Sequence, residues 1–165
     1  TKTSRPGSGT EHIMAHFIEC VELLENKIPD YHGEDVGVTT LMVLDYYKKL
    51  AELKNPKFQR ETVDWNDVYD AYGELADDVR KINAVSTATD GVDPEFCEKN
   101  WNKIVEIVND VPSVEEVKNA MKKAGCAITS EDIHKSPELI AKAWKYHPYM
   151  RNRLSLKRLS EMIVK

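Results

Sequence analysis

The spacing of apolar residues constrains this chain more than any other feature. They recur every three or four positions along most of its length, and the alternation that marks a half-buried strand is essentially missing. From Glu11 to Glu25, the apolar residues Ile13, Met14, Phe17, Ile18, Val21, Leu23 and Leu24 recur at three- and four-residue spacing. Thr10 is the expected N-cap, and Glu11 suits the first turn. Lys27-Ile28-Pro29-Asp30 breaks that helix. A second run, Val36 to Leu53, is apolar almost all round through Val38, Leu41, Met42, Leu44, Tyr46 and Leu50, as in a central buried helix.

The same reading predicts an acid-faced helix over Asp64 to Arg80 and a loop over Ser86 to Pro94. Pro94 suits the first position of a helix through Val108. Pro112-Ser113 introduces another, Val114 to Ala124, which Gly125 stops. Ser136-Pro137 caps a short helix through Tyr146, interrupted at His147-Pro148, and Ser155 caps a last one from Leu156 to Val164. No internal repeat or low-complexity tract is present. Residues 1–165 therefore read as one all-α domain, a bundle of about six to eight helices.

Length and charge remove several function classes. The 165 residues suffice to bury a core without disulfides. With 23 basic against 28 acidic residues, the net charge of -5 argues against nucleic acid, whose binding needs clustered Lys and Arg. A mean hydropathy of -0.52 and the lack of any 18-residue apolar run predict no membrane span. Cys20, Cys97 and Cys126 form no CxxC pair, so free thiols in a reducing cytoplasm are the plain expectation. The first ten residues hold no signal-peptide core, and the start at Thr1 in place of an initiator Met suggests processing, proteolysis or a fragment of a longer protein.

Chemistry concentrates near the start. His12 and His16 are four apart, on one face of the first helix, and His32 follows a turn that could fold it back beside His12. Two or three imidazoles from adjoining helices can hold zinc, iron or nickel. An HxxxH pair also occurs by chance on many helices. Ser4-Arg5-Pro6-Gly7-Ser8-Gly9 is small and polar just before that helix, which permits close backbone approach to a phosphate at the helix N-terminus, or forms a plain tail ending in a cap. Trp65, Trp101 and Trp144 read as packing anchors. The basic stretch Arg151-Asn152-Arg153 with Lys157 and Arg158 reads as a solvated face, His134 as exposed, and His147 as packing at a turn.

Residues 5–16, RPGSGTEHIMAH, with YHGEDVGVTTLMVLDYY at 31–47, resemble the metal-binding region of the glycerol-1-phosphate dehydrogenase family, within the iron-containing alcohol dehydrogenase and dehydroquinate synthase-like superfamily. The ending AWKYHPYMRNRLSLKRL at 143–159 is also similar. The first 47 residues carry the specific motifs, while 54–140 match mainly in helical character.

The resemblance implies a two-domain enzyme of which this chain is the C-terminal helical, metal-binding domain. The N-terminal nucleotide-binding domain would be absent, in keeping with the lack of a Gly-rich dinucleotide fingerprint. It implies His12 and His32 as metal ligands and His16 as the substrate-binding, catalytic histidine. The family's third ligand, an aspartate, would lie upstream of residue 1, so the isolated domain is expected to bind metal weakly and to be inactive alone. Zinc is the first choice of divalent metal, with iron, nickel or manganese as alternatives, and NAD or NADP would be bound mainly by the N-terminal domain. The implied reaction interconverts dihydroxyacetone phosphate and sn-glycerol 1-phosphate by metal-assisted hydride transfer. Partners would be a small phosphorylated polyol or ketone and the N-terminal domain. The homo-oligomeric state stays open, although related enzymes commonly self-associate.

Glu34, two residues after His32, is a candidate acceptor for that ring's other nitrogen, although a surface Glu at a helix start is the plainer reading. Three other functions fit less well. These are a glycerol or other polyol dehydrogenase of the same superfamily, a noncatalytic helical interaction module with incidental histidines, and a self-contained metallohydrolase lacking an HExxH motif.

Overall fold

A computed structural model describes residues 9–164. Its elements are α1 (Thr10–Leu24), α2 (His32–Ala51), α3 (Trp65–Tyr72), α4 (Ala76–Asn83), α5 (Pro94–Asp110), α6 (Val114–Lys123), α7 (Pro137–Tyr146) and α8 (Leu156–Ser160). Short 3-10 turns lie at Gly73–Leu75 and His147–Tyr149. Among the described residues there is no strand, only an isolated antiparallel bridge between Phe58 and Ile163, so the chain is all-α. No helix among them is long and apolar enough to cross a membrane.

Two hydrophobic clusters hold the helices together. In the larger, Met14, Phe17 and Ile18 of α1 meet Val68 and Tyr72 of α3, Val79 of α4 and Ala143 of α7. In the smaller, Leu50, Phe58, Cys97, Trp101, Leu159 and Met162 close the far end of α2 against α5 and α8. Trp101 is buried, and its indole N–H donates to Leu53 O at 3.0 Å, as suits a packing anchor. Helix α2 packs along α1 on one side and against α5 and α6 on the other. The α1–α2 pair, joined by residues 25–31, carries the histidines.

Most expected boundaries stand close to their predicted places. Asp93 caps α5 with Pro94 in its first turn, and Ser136 caps α7. Ser113 and Glu116 form a reciprocal capping box on α6. Gly125 ends α6 at φ +73, a conformation that glycine adopts without steric cost.

The departures have local causes. Gly9, not Thr10, is the N-cap of α1, because the buried Thr10 hydroxyl pairs with the Tyr47 hydroxyl of α2 at 2.6 Å. Helix α2 starts at His32, four residues early, since Glu34 N–H and Asp35 N–H bond Tyr31 O at 2.8 and 3.3 Å. Those two acids also occupy its favourable first turn. The expected helix over 64–80 divides at Gly73, whose φ of +53 ends α3 before α4 begins. Helix α8 stops at Ser160, and the chain turns back toward the 57–59 segment, with Val164 N–H bonding Lys57 O at 2.8 Å.

The basic C-terminal stretch is only partly a solvated face. Arg151 and Asn152 are exposed, but Lys157 and Arg158 are buried. The Arg158 guanidinium lies 2.8 Å from Glu61 and 4.1 Å over the Tyr149 ring. Lys157 pairs with Glu161 beside the rings of Tyr46 and Trp144. An aromatic face and a carboxylate lie beside each cation, but the guanidinium nitrogens of Arg158 make no hydrogen bond.

Candidate metal centre

Helical repeat and one reversal of the chain bring three imidazoles together. His12 and His16 sit one turn apart on α1. The 25–31 connection delivers His32 at the first position of α2, beside them. The ring centroids form a nearly equilateral triangle, 4.7 Å for His12–His16, 4.6 Å for His12–His32 and 4.7 Å for His16–His32. One nitrogen of each ring lies within 4.8 Å of one nitrogen of each of the others. The structure thus brings all three sequence-predicted site residues to one place.

Glu19, a turn beyond His16 on α1, completes the arrangement. One of its carboxylate oxygens is 2.9 Å from His16 Nδ1 and the other is 2.5 Å from His32 Nδ1. A carboxylate only accepts, so both ring nitrogens donate. In the neutral rings this leaves each Nε2 with a free lone pair, the form an imidazole needs in order to ligate. The His16-x-x-Glu19 spacing was a usable sequence signal for half of this contact; the half to His32 depends on how α1 and α2 pair. Glu34 does not take the orienting place considered for it, being exposed while His32 turns to Glu19.

Electrostatics favour the neutral form of His12. Burial holds His12 below the ordinary histidine pKa, and proximity to His16 and His32 lowers it further. One turn deeper lies a buried ionic group that the sequence reading missed. Lys135 Nζ donates to both carboxylate oxygens of Glu22 at 2.8 and 2.9 Å and to Asp30 at 2.9 Å, with Asp35 at 3.6 Å. Both oxygens of the fully buried Asp35 lack a hydrogen-bond partner. Burial pushes its carboxyl up to about 6, Lys135 opposes the shift, and Glu22, Glu19 and Asp30 reinforce it.

Three imidazoles and a bridging carboxylate are a donor set suited to a divalent transition ion. A tetrahedral zinc ion, with bonds of about 2.0–2.1 Å, draws its ligand nitrogens to about 3.3 Å of one another. The ring nitrogens, one from each histidine within 4.8 Å of the others, must therefore close by up to about 1.5 Å to share one ion. Of the glycine-rich segment read as a phosphate approach, Gly9 caps α1, while residues 4–8 lie outside the described residues.

Comparison with known proteins finds several glycerol-1-phosphate dehydrogenases. The chain is 26% identical over 160 residues to a glycerol-1-phosphate dehydrogenase [NAD(P)+] of Geobacillus thermodenitrificans, covering 93% of this chain and 32% of that protein. The enzyme of the same name from Bacillus subtilis is 48% identical over 50 residues, 30% of this chain and 12% of the relative. That from Methanothermobacter thermautotrophicus is 30% identical over 95 residues, 57% of this chain and 20% of the relative. No protein-family model matches the chain, and no solved structure does. The chain spans about a third of the length of the curated relatives that match 93% of it. Over 93% of its length the chain is thus similar, at 23–26% identity, to glycerol-1-phosphate dehydrogenases.

Proposed function

We propose that this chain is the C-terminal, metal-holding domain of an NAD(P)-dependent sn-glycerol-1-phosphate dehydrogenase, which interconverts dihydroxyacetone phosphate and sn-glycerol 1-phosphate. The observation that carries the reading is the convergence of His12, His16 and His32 in a chain that aligns over 93% of its length with enzymes of that name. When bound, a divalent ion supplies Lewis acidity toward the substrate's ketone or secondary hydroxyl oxygen, and a nicotinamide supplies the hydride donor or acceptor.

The chain's own residues do the rest. His12 and His32 hold the ion, with zinc the first choice for this donor set and iron, nickel or manganese able to use it. Burial, with the neighbouring His16 and His32 rings, holds His12 below the ordinary histidine pKa and so favours the neutral form that ligates. His16 faces the same point from one turn away and is still 38% exposed, so it can reach a substrate oxygen. It donates to or accepts from the substrate hydroxyl through Nε2 and holds its proton, while Nδ1 stays on Glu19. The nucleotide-binding domain that this reading requires would precede residue 1, and the free thiols Cys20, Cys97 and Cys126 suit a cytoplasmic setting.

The test compares the whole protein with its His12→Ala, His32→Ala and His16→Ala variants, measuring metal content and NAD(P)H-dependent reduction of dihydroxyacetone phosphate. The first two should lose metal and activity together. His16→Ala should keep its metal and slow by about 10²–10⁴-fold, the range for a lost proton-transfer group. Full activity in all three variants would refute the proposal.

A further inference from the structure

We infer that Glu19 is the positioning residue of this centre: one carboxylate that fixes the tautomer and aim of both His32 and His16. The inference rests on the metal-centre reading above and adds a residue to it.

The argument starts from what each carboxylate oxygen does. Oε1 takes the Nδ1–H of His32 from α2, and Oε2 takes the Nδ1–H of His16 from its own helix. An ordinary surface pair three residues apart on a helix would need only the second contact. Here the side chain is only 16% exposed and spans two helices. The rings that it joins lie 22° from parallel, with their centroids 4.7 Å apart. Two imidazoles gripped by their Nδ1 edges must present Nε2 outward on the same side. One of them is a proposed ligand and the other the proposed substrate contact, so one carboxylate sets the ion and the proton-handling group in register.

The surroundings support that role. Glu22, one turn further along α1, is already committed to Lys135 through both oxygens, and Asp30 points to the same lysine. Glu34 is exposed. Glu19 alone among these neighbouring acids spends its acceptors on the imidazoles. A carboxylate on the far nitrogen also raises the basicity of a ligating imidazole, and removing such a partner typically weakens metal affinity about 10–100-fold.

The experiment uses the 165-residue chain with Glu19→Ala, the near-isosteric Glu19→Gln and a His12→Ala control. Two-bond 1H–15N correlation spectra of the metal-free proteins report each histidine's tautomer. Visible absorption during cobalt(II) titration reports affinity and coordination geometry. We expect Nδ1–H tautomers at His16 and His32 in the unmodified chain. In Glu19→Ala both should shift toward the Nε2–H form that free imidazole favours in water, and cobalt should bind about 10–100-fold more weakly. Glu19→Gln, which offers one accepting oxygen, should hold one ring and lose an intermediate amount. Far-ultraviolet dichroism of both variants should match that of the unmodified chain.

Unchanged tautomers in Glu19→Ala would overturn the inference. So would cobalt binding that is lost in His12→Ala but unchanged in both Glu19 variants, which would leave the metal centre standing. If the unmodified chain and the whole protein both fail to bind cobalt, the metal reading falls and this inference falls with it.

Discussion

Replacing Asp35 with asparagine should stabilise the protein at neutral pH, by an amount that vanishes in acid. Asp35 is fully buried, neither of its oxygens has a hydrogen-bond partner, and Lys135 is 3.6 Å away while engaged more closely with Glu22 and Asp30. Its carboxyl is raised from 3.8 to about 6, burial being the main cause. A folded pKa above the unfolded one means that the native state binds the extra proton. The associated stability is complete below about pH 3.8 and is lost as pH rises through about 6. At 1.36 kcal/mol per unit, the ionised carboxylate costs about 3 kcal/mol at pH 7.

The Asp35→Asn variant would keep the shape and lose no hydrogen bond, so whatever fixed difference separates its amide from a protonated carboxyl is independent of pH. The quantity to measure is therefore the variant-minus-native stability at pH 7 less the same difference at pH 4, from urea denaturation followed by tryptophan fluorescence. It should be about 2–3 kcal/mol in favour of the variant. A difference that is the same at both pH values would refute the reasoning, since it would show that Asp35 carries no unrelieved charge in the native protein.

His147 should impose the opposite pH dependence. Burial depresses it from 6.5 to about 4, against the favourable bond from its Nδ1 to Ala143 O at 2.8 Å. A depressed histidine stabilises the fold fully above pH 6.5 and loses that contribution as pH falls toward 4, here about 3 kcal/mol. The native protein should therefore show a shallow stability profile between about pH 4 and 6, where Asp35 and His147 offset each other. Asp35→Asn should expose the histidine slope; a profile just as flat in that variant would contradict the assignment. Arg158→Ala should cost about 3–5 kcal/mol in denaturant melts, because it removes the cation beside the Glu61 carboxylate, a side chain only 4% exposed that would keep only the Thr89 hydroxyl. The double change Arg158→Met with Glu61→Leu should recover much of that loss, and equal destabilisation of single and double variants would count against a paired role.

The helices were legible because period and punctuation are local. Asp93-Pro94, Ser113 with Glu116, Ser136-Pro137 and Gly125 act within a few residues of themselves, and each ended or started a helix where expected. Gly73 was visible too, but a glycine inside a helical pattern can be carried or can break it. The positive φ that decided the matter belongs to the way α3 and α4 pack on α1. His12, His16 and His32 were legible from spacing and from resemblance to the family's motifs. Glu19 was half legible, since its second bond needs α2 in place. Lys135 and Arg158 were not legible, because a charged residue looks solvated until its partners are known. Lys135 finds Glu22 and Asp30 across 113 and 105 residues of sequence.

The most direct test of the account is anomalous diffraction from crystals of the protein grown with zinc. The account predicts one ion bonded to His12 and His32 at about 2.0–2.1 Å, with His16 facing it and Glu19 still bridging the Nδ1 atoms behind. Zinc bound only elsewhere on the surface, with the three rings as they stand without it, would contradict the central claim.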